Sequence, residues 1–206
     1  MKVTKFPQSC LVVEQRDGGR ILIDPGNVAL GRHDVADFGT VDAVIYTHRH
    51  PDHCDPGGFE ALLERGVTAY GNADVCELLG TDRVTEVRDG VPVVIAGFEV
   101  VPHDLPHVPM VDGAPGPPNT GFVLDGSLFH PGDGIAIDGV RVDALALPVA
   151  GPSISFRDAY RFVEQVGAKR AIPVHYDVFI ADPRLFADKC DIAEVVVLDP
   201  GESTEL

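Results

Sequence analysis

Three histidines and one aspartate crowd into six consecutive positions of this chain, His48, His50, Asp52 and His53, with Arg49 and Pro51 between them. Imidazole nitrogen and carboxylate oxygen are both ligands for Zn²⁺ and other first-row divalent cations. Alternate side chains of an extended stretch share a face, so His48 and His50 can address one ion. Pro51 bends the path, which frees Asp52 and His53 to turn toward a second ion. A lone histidine would read as a solvated or core residue. A cluster of this density at the end of an apolar run, with more histidines downstream, reads as a metal centre.

The elements around the cluster are of the kind that could hold it. Val41–Tyr46 is wholly apolar apart from Asp42 and runs straight into Thr47 and the cluster, so an expected strand ends at the first ligand. Before it, Cys10–Glu14 and Arg20–Asp24 are joined by Arg16-Asp17-Gly18-Gly19, a hairpin signature, and Asp24-Pro25-Gly26 ends the second run. After it, Asp55 as N-cap, Pro56 in the first turn and Gly66 as stop outline a helix, and Asn72 to Gly80 repeats that grammar. Val93–Ile95 and Phe98–Val101 form a strand pair across Ala96-Gly97.

The second half echoes the first. Gly121–Leu124 and Leu128–His130 form a hairpin across Asp125-Gly126-Ser127, closed by Pro131-Gly132-Asp133. Val142-Asp143-Ala144-Leu145 then repeats Val41-Asp42-Ala43-Val44. Ser155 with Asp158 three positions on is a capping box, and Phe156, Tyr160 and Val163 share one helical face. Short strands are expected at Ala171–Val174, ending at His175, and at Val195–Leu198. Two similar β-rich halves, each with covering helices and no polar linker between them, predict a single domain over residues 1–206 with two sheets face to face.

Composition narrows the partners. With 16 Lys and Arg against 32 Asp and Glu, the net charge of −16 disfavours nucleic acid and anionic membrane surfaces. The Met1–Glu14 stretch carries only a short apolar run, so neither a signal peptide nor a membrane span is expected there. The four cysteines, Cys10, Cys54, Cys76 and Cys190, are scattered, as free thiols of a cytoplasmic protein would be. A small-molecule substrate is the expected partner; the oligomeric state is not written in the sequence.

Thr47-His48-Arg49-His50-Pro51-Asp52-His53 resembles the T-H-x-H-x-D-H signature of the metallo-β-lactamase superfamily. The chain is similar in particular to the branch of metal-dependent hydrolases that includes ascorbate-phosphate lactonase-like and N-acyl-phosphatidylethanolamine phospholipase D-like proteins. Leu22-Ile23-Asp24-Pro25-Gly26, Phe129-His130-Pro131-Gly132-Asp133 and Ile172-Pro173-Val174-His175-Tyr176 extend the likeness over nearly the whole chain. The resemblance implies an α/β fold of four layers, an αβ/βα sandwich of two mixed sheets with outer helices. It also implies two divalent ions, Zn²⁺ foremost, with Mn²⁺ or Fe²⁺ as alternatives.

Carried over residue by residue, the resemblance gives His48 and His50 to the first ion, Asp52, His53 and His175 to the second, and Asp133 to a bridge between them. The third histidine of the first ion is either His103 or His107, with His103 preferred because it follows its strand directly; His107 is then a neighbouring or substrate-facing group. Asp24 is expected to orient ligands or to form its turn, and His130 to be a half-buried strand residue or a supporting hydrogen-bond partner. The Cys54 thiol is expected to be packed and Arg49 to be exposed to solvent.

The implied reaction is attack of a hydroxide bridging the two ions on a lactone, amide or phosphoester, with Asp52 orienting the nucleophile and His107 or Tyr176 as candidate acids. Asp104–Asn119, with five prolines, is the expected site-edge loop. The competing readings are a non-catalytic metal-binding or regulatory protein of the same fold and a di-iron redox protein. The latter lacks any flavodoxin-like stretch to deliver electrons.

Overall fold

The computed structural model describes residues 1–179 and 181–206. The chain opens with β1 (Lys2–Lys5), β2 (Leu11–Glu14) and β3 (Arg20–Ile23), paired antiparallel in that order. A short helix α1 (Asn27–Leu30) and a 3-10 turn at Val35–Phe38 lead to β4 (Ala43–Tyr46), which lies parallel to β3. Helix α2 (Pro56–Leu63) crosses to β5 (Thr68–Gly71), and α3 (Ala73–Leu79) crosses to β6 (Thr85–Glu86), both parallel additions. The helix starts are where local chemistry sets them. The Asp55 carboxylate accepts from Gly58 N, and the Asn72 side chain accepts from Val75 N, so each cap satisfies a donor the first turn leaves free.

The second sheet begins with β7 (Val93–Ile95), β8 (Phe98–Asp104), β9 (Thr120–Leu124) and β10 (Leu128–His130), antiparallel throughout. β11 (Ala144–Pro148), β12 (Arg170–Val174) and β13 (Glu194–Val195) then add in parallel, with α4 (Phe156–Val166) and α5 (Pro183–Ala187) in the connections. The Ser155–Asp158 capping box starts α4, and left-handed Gly167 (φ 70°) ends it. The last strand, β14 (Ser203–Glu205), returns to the first sheet and pairs antiparallel with β1.

Among the described residues each sheet thus has seven strands, ordered β14-β1-β2-β3-β4-β5-β6 and β7-β8-β9-β10-β11-β12-β13. Read in that direction, both run through three antiparallel pairings and then three parallel ones. The echo between the halves is therefore architectural, with β14 filling the place that β7 fills in the other sheet. The repeated Val-Asp-Ala does the same work in both. The carbonyl of Asp42 accepts from Thr68 N and that of Asp143 from Lys169 N, each aligning the next parallel strand.

Side-chain alternation makes the layers. Leu11, Val13, Ile21, Ile23 and Ile45 meet Phe98, Val100, Phe122, Leu124 and Ile172 in a core between the sheets. The opposite face of the first sheet packs Leu22, Val44 and Tyr46 on Phe59, Leu62 and Val75. The outer face of the second packs Phe129, Leu145 and Leu147 on Phe162, Val163 and Phe186. The result is the expected α/β sandwich of four layers, helix–sheet–sheet–helix. One expected strand is corrected: Val195–Leu198 contributes only its first residue, to β13, and the chain then turns away to make β14. Among the described residues, no helix is long and apolar enough to cross a membrane.

Candidate metal centre

The two mixed sheets open at one edge, where turns after β3, β4, β10 and β12 deliver Asp24, the His48–His53 run, Asp133 and His175. Two glycines let these turns meet. A Cβ on Gly26 would lie 2.0 Å from the Asp52 carbonyl carbon, and one on Gly132 (φ 60°) would lie 2.2 Å from Asn119 Oδ1.

His48, His50, His107 and Asp133 form one group of potential ligands, and Asp52, His53 and His175 form another. In the first group His48 Nε2 and His107 Nε2 each stand 3.2 Å from His50 Nδ1. The other ring nitrogens decide the tautomers. Thr47 Oγ1 donates to Asp24 at 2.6 Å, so toward His48 Nδ1, 3.0 Å away, it can only accept. His107 Nδ1 faces the Val108 carbonyl, also a pure acceptor. Both Nδ1 atoms therefore carry the proton and both Nε2 atoms present lone pairs to the same small space. His50 Nδ1 can offer a proton to at most one of them. Three nitrogens so arranged call for a cation.

The second group follows the same logic. His53 Nδ1 donates to Asp24 Oδ2 at 2.7 Å and His175 Nδ1 donates to the Ala150 carbonyl at 2.6 Å, which leaves both Nε2 atoms facing the site. Asp133 spans the two groups: Oδ1 lies 3.1 Å from His53 Nε2, and Oδ2 lies 3.1 Å from His175 Nε2 and 3.4 Å from His107 Nε2. Despite that proximity, His53 Nε2 and Asp133 Oδ1 are buried without a hydrogen-bond partner. Orphaned buried ligand atoms of opposite type, aimed at common ground, are what a divalent cation satisfies. The donor set fits the metal that the resemblance implies.

The electrostatics are strongly coupled. Burial, reinforced by neighbouring His53, holds His48 well below the ordinary histidine range, which favours the neutral ligand form. Burial also opposes charge on His53, but Asp133 and Asp24 outweigh it and push that ring well above its ordinary value. At His175 burial is likewise outweighed, by Asp133 and Asp52, and the ring rises to about 9. Burial would raise the Asp133 carboxyl; His53 and His175 instead hold it well below the usual carboxylate range. Without a cation His53 and His175 favour the protonated form, and a metal would displace those protons.

The structure brings together His48, His50, Asp52, His53, Asp133 and His175, and places His107 beside them in place of the preferred His103. His103 is still inside β8, which extends to Asp104, and strand alternation puts it on the same face as Val101, toward the outer helices. Its ring lies 6.5 Å from Phe129, outside both groups, and His107 occupies the corner expected of it.

His130 is fully buried rather than half-buried: Nε2 donates to the Ser9 carbonyl and Nδ1 accepts from Gly132 N, bracing the turn that carries Asp133. Tyr176 donates to the Leu198 carbonyl and lies under the Lys5 ammonium, so it faces away from the ligands. Cys54 is buried, and burial pushes its thiol up to about 12. Arg49 is tied to Asp74 at 3.0 Å. The sequence assigns no supporting role to Gln8, Thr47 or Asn119, to each of which the structure gives one.

A family model described as a beta-lactamase superfamily domain matches residues 2–175, a span that ends on the last ligand candidate. The chain belongs to that superfamily. Protein Rv0786c of Mycobacterium tuberculosis is 30% identical over 198 residues, covering 89% of this chain and 88% of that protein. A UPF0173 metal-dependent hydrolase of Methanopyrus kandleri is 30% identical over 234 residues, covering both chains completely. Among solved structures, Igni18, described as a novel metallo hydrolase from Ignicoccus hospitalis, superposes with a TM-score of 0.81 at 24% identity, covering 100% of this chain and 98% of that one. At that identity the likeness speaks for the superfamily fold.

Proposed function

We propose that this superfamily member is a metal-dependent hydrolase with a two-ion centre, cleaving a lactone, amide or phosphoester of a small molecule. His48, His50 and His107 would hold one divalent cation, Asp52, His53 and His175 the other, and Asp133 would reach both. Bound there, such cations supply Lewis acidity and bring the ionisation of water near neutral pH. The observation that carries the reading is the convergence of three ring nitrogens on one point, with His48 Nε2 and His107 Nε2 each 3.2 Å from His50 Nδ1. The names of the relatives lend it independent support.

The protein's own groups have separable tasks. Asp133, almost fully buried, would balance the charge of ions held there. Asp52, with its side chain 26% exposed, is the carboxylate on the solvent side, suited to orient the attacking water. His107 serves as a ligand rather than as an acid. A cavity lined by Leu105, Pro106, His107, Pro115, Pro117 and Pro118 offers apolar surface beside the first ion. The net charge of −16 and the pairing of Arg49 with Asp74 favour a small substrate over a polyanion. Free cysteines throughout are in keeping with the cytoplasm.

Metal analysis of protein purified without chelator is expected to give two zinc, manganese or iron ions per chain. His50→Ala and His175→Ala should each deplete metal and abolish whichever activity a screen of lactones, amides and phosphodiesters reveals. Retention of both ions at full occupancy in either variant would refute the assignment.

A further inference from the structure

Four of the candidate ligands are held by groups whose roles are already plain. Thr47 fixes His48, Asp24 fixes His53, and backbone carbonyls fix His107 and His175. Asp52 sits on the exposed side of the site, and the amide that donates to it comes from the first turn of the chain. Gln8 Nε2 donates to Asp52 Oδ2 at 2.8 Å. That oxygen is the one facing the other ligands of its group, 3.5 Å from His175 Nε2 and 3.7 Å from His53 Nε2.

Gln8 is itself elaborately fixed. It lies in the turn between β1 and β2, is fully buried, and holds a left-handed backbone (φ 63°) that residues other than glycine seldom adopt. Its N–H donates to Asp177 Oδ2 at 2.7 Å, a carboxylate that also binds the buried Lys5 ammonium at 3.2 Å. Its carbonyl accepts from His175 N at 3.1 Å. The side-chain oxygen Oε1 has no partner, so the amide is not there to fill a hydrogen-bond network of its own. A carboxylate can only accept, which requires the NH₂ end to face Asp52.

We infer that Gln8 is the positioning residue of the second ion site, its amide holding Asp52 Oδ2 in the ligand position and its carbonyl holding the backbone of His175. The inference rests on the two-ion reading. The task parallels that of Asp24 toward His53, transferred from a histidine ligand to a carboxylate one. Outer partners of this kind typically change metal affinity by about 10- to 100-fold when lost. Without the amide, Asp52 is free to swing into solvent, while the first ion keeps its three histidines.

Two variants separate this role from mere packing. Gln8→Met keeps length and bulk, removes the donor and also removes the unpartnered oxygen. Gln8→Asn keeps an amide in a residue that tolerates left-handed backbone, but is one methylene too short to reach Asp52. Neither touches the backbone bonds to Asp177 and His175. Zinc titration against a chromophoric chelator, with urea unfolding alongside, is expected to show the weaker of two ions bound about 10- to 100-fold less tightly in both variants. The tighter ion and the unfolding midpoint of the chelator-treated protein should stay as in the unaltered chain. Native affinity for both ions, or equal weakening of both, overturns the role of Gln8 and leaves the two-ion reading standing. Fewer than two ions in the unaltered protein removes that reading, and Gln8's role with it.

Discussion

Asp24 shows how one side chain can serve the turn and the site together. It is fully buried with a left-handed backbone (φ 49°), and its two oxygens accept from Thr47 N, Thr47 Oγ1 and His53 Nδ1. Asp24→Asn keeps the shape but must aim an NH₂ at one of those three donors. We expect it to weaken metal binding by about 10- to 100-fold and to destabilise the fold by about 1–3 kcal/mol, measured by zinc titration and urea unfolding. Unchanged values in both would mean that the turn alone accounts for this residue. Single-residue roles were readable in the sequence only where the chain is locally dense. The His48–His53 run announced itself. The preference for His103 rests on a strand ending at Val101; β8 runs on to Asp104, so His103 is a strand residue and His107 lies in the loop. Gln8 gave no signal at all, since its partner lies 44 positions away and its backbone geometry leaves no mark on residue type.

The loop between β8 and β9 is held by its last residue. Asn119 Nδ2 donates to the Leu105 and Pro131 carbonyls, and its Oδ1 accepts from Asp133 N at 3.2 Å. One buried amide therefore ties the segment that carries His107 to the turn that carries Asp133. Asn119→Ala should loosen both and leave buried backbone groups unpaired, at about 1–3 kcal/mol for each group that water cannot reach. The measured expectation is a lower unfolding midpoint together with weaker binding of the ion held by His48, His50 and His107. Loss of stability with intact affinity would show that the loop finds its place without Asn119. At this level most of the structure was visible in advance, because hairpins and helices carry their own punctuation: Gly18, Asp55, Asn72 and Ser155 all act where their types suggest. The elements that were missed are the ones that exist by partnership. β14 is three polar or charged residues, Ser203-Thr204-Glu205, made a strand by pairing with Thr4, Val3 and Lys2. β1 itself is flanked by β2 on one side and β14 on the other, and α1 and α5 are single short turns without a periodic face.

The two sheets each contribute half of the centre, so metal is expected to act as a staple across the sandwich. Asp24 and the His48–His53 run come from the first sheet, and His107, Asp133 and His175 from the second. A ligand that binds only the folded chain stabilises it by mass action. The pH dependence of stability should differ with and without metal. In chelator-treated protein, burial opposes charge on His175, yet Asp133 and Asp52 raise the ring from 6.5 to about 9. Below pH 6.5 the ring is protonated both folded and unfolded, and its ion pairing contributes in full. As pH climbs toward about 9 the folded state still holds a proton that the unfolded chain has released, and the contribution falls away by up to about 1.4 kcal/mol per pH unit. A bound cation replaces that proton, so metal binding releases it and strengthens with pH over the same interval. Urea unfolding across this range should therefore show the chelated protein losing stability as pH rises and the metal-loaded protein pulling progressively further above it. A gap between the two curves that stays constant would mean that no ion competes with the proton at His175, and so that His175 holds none.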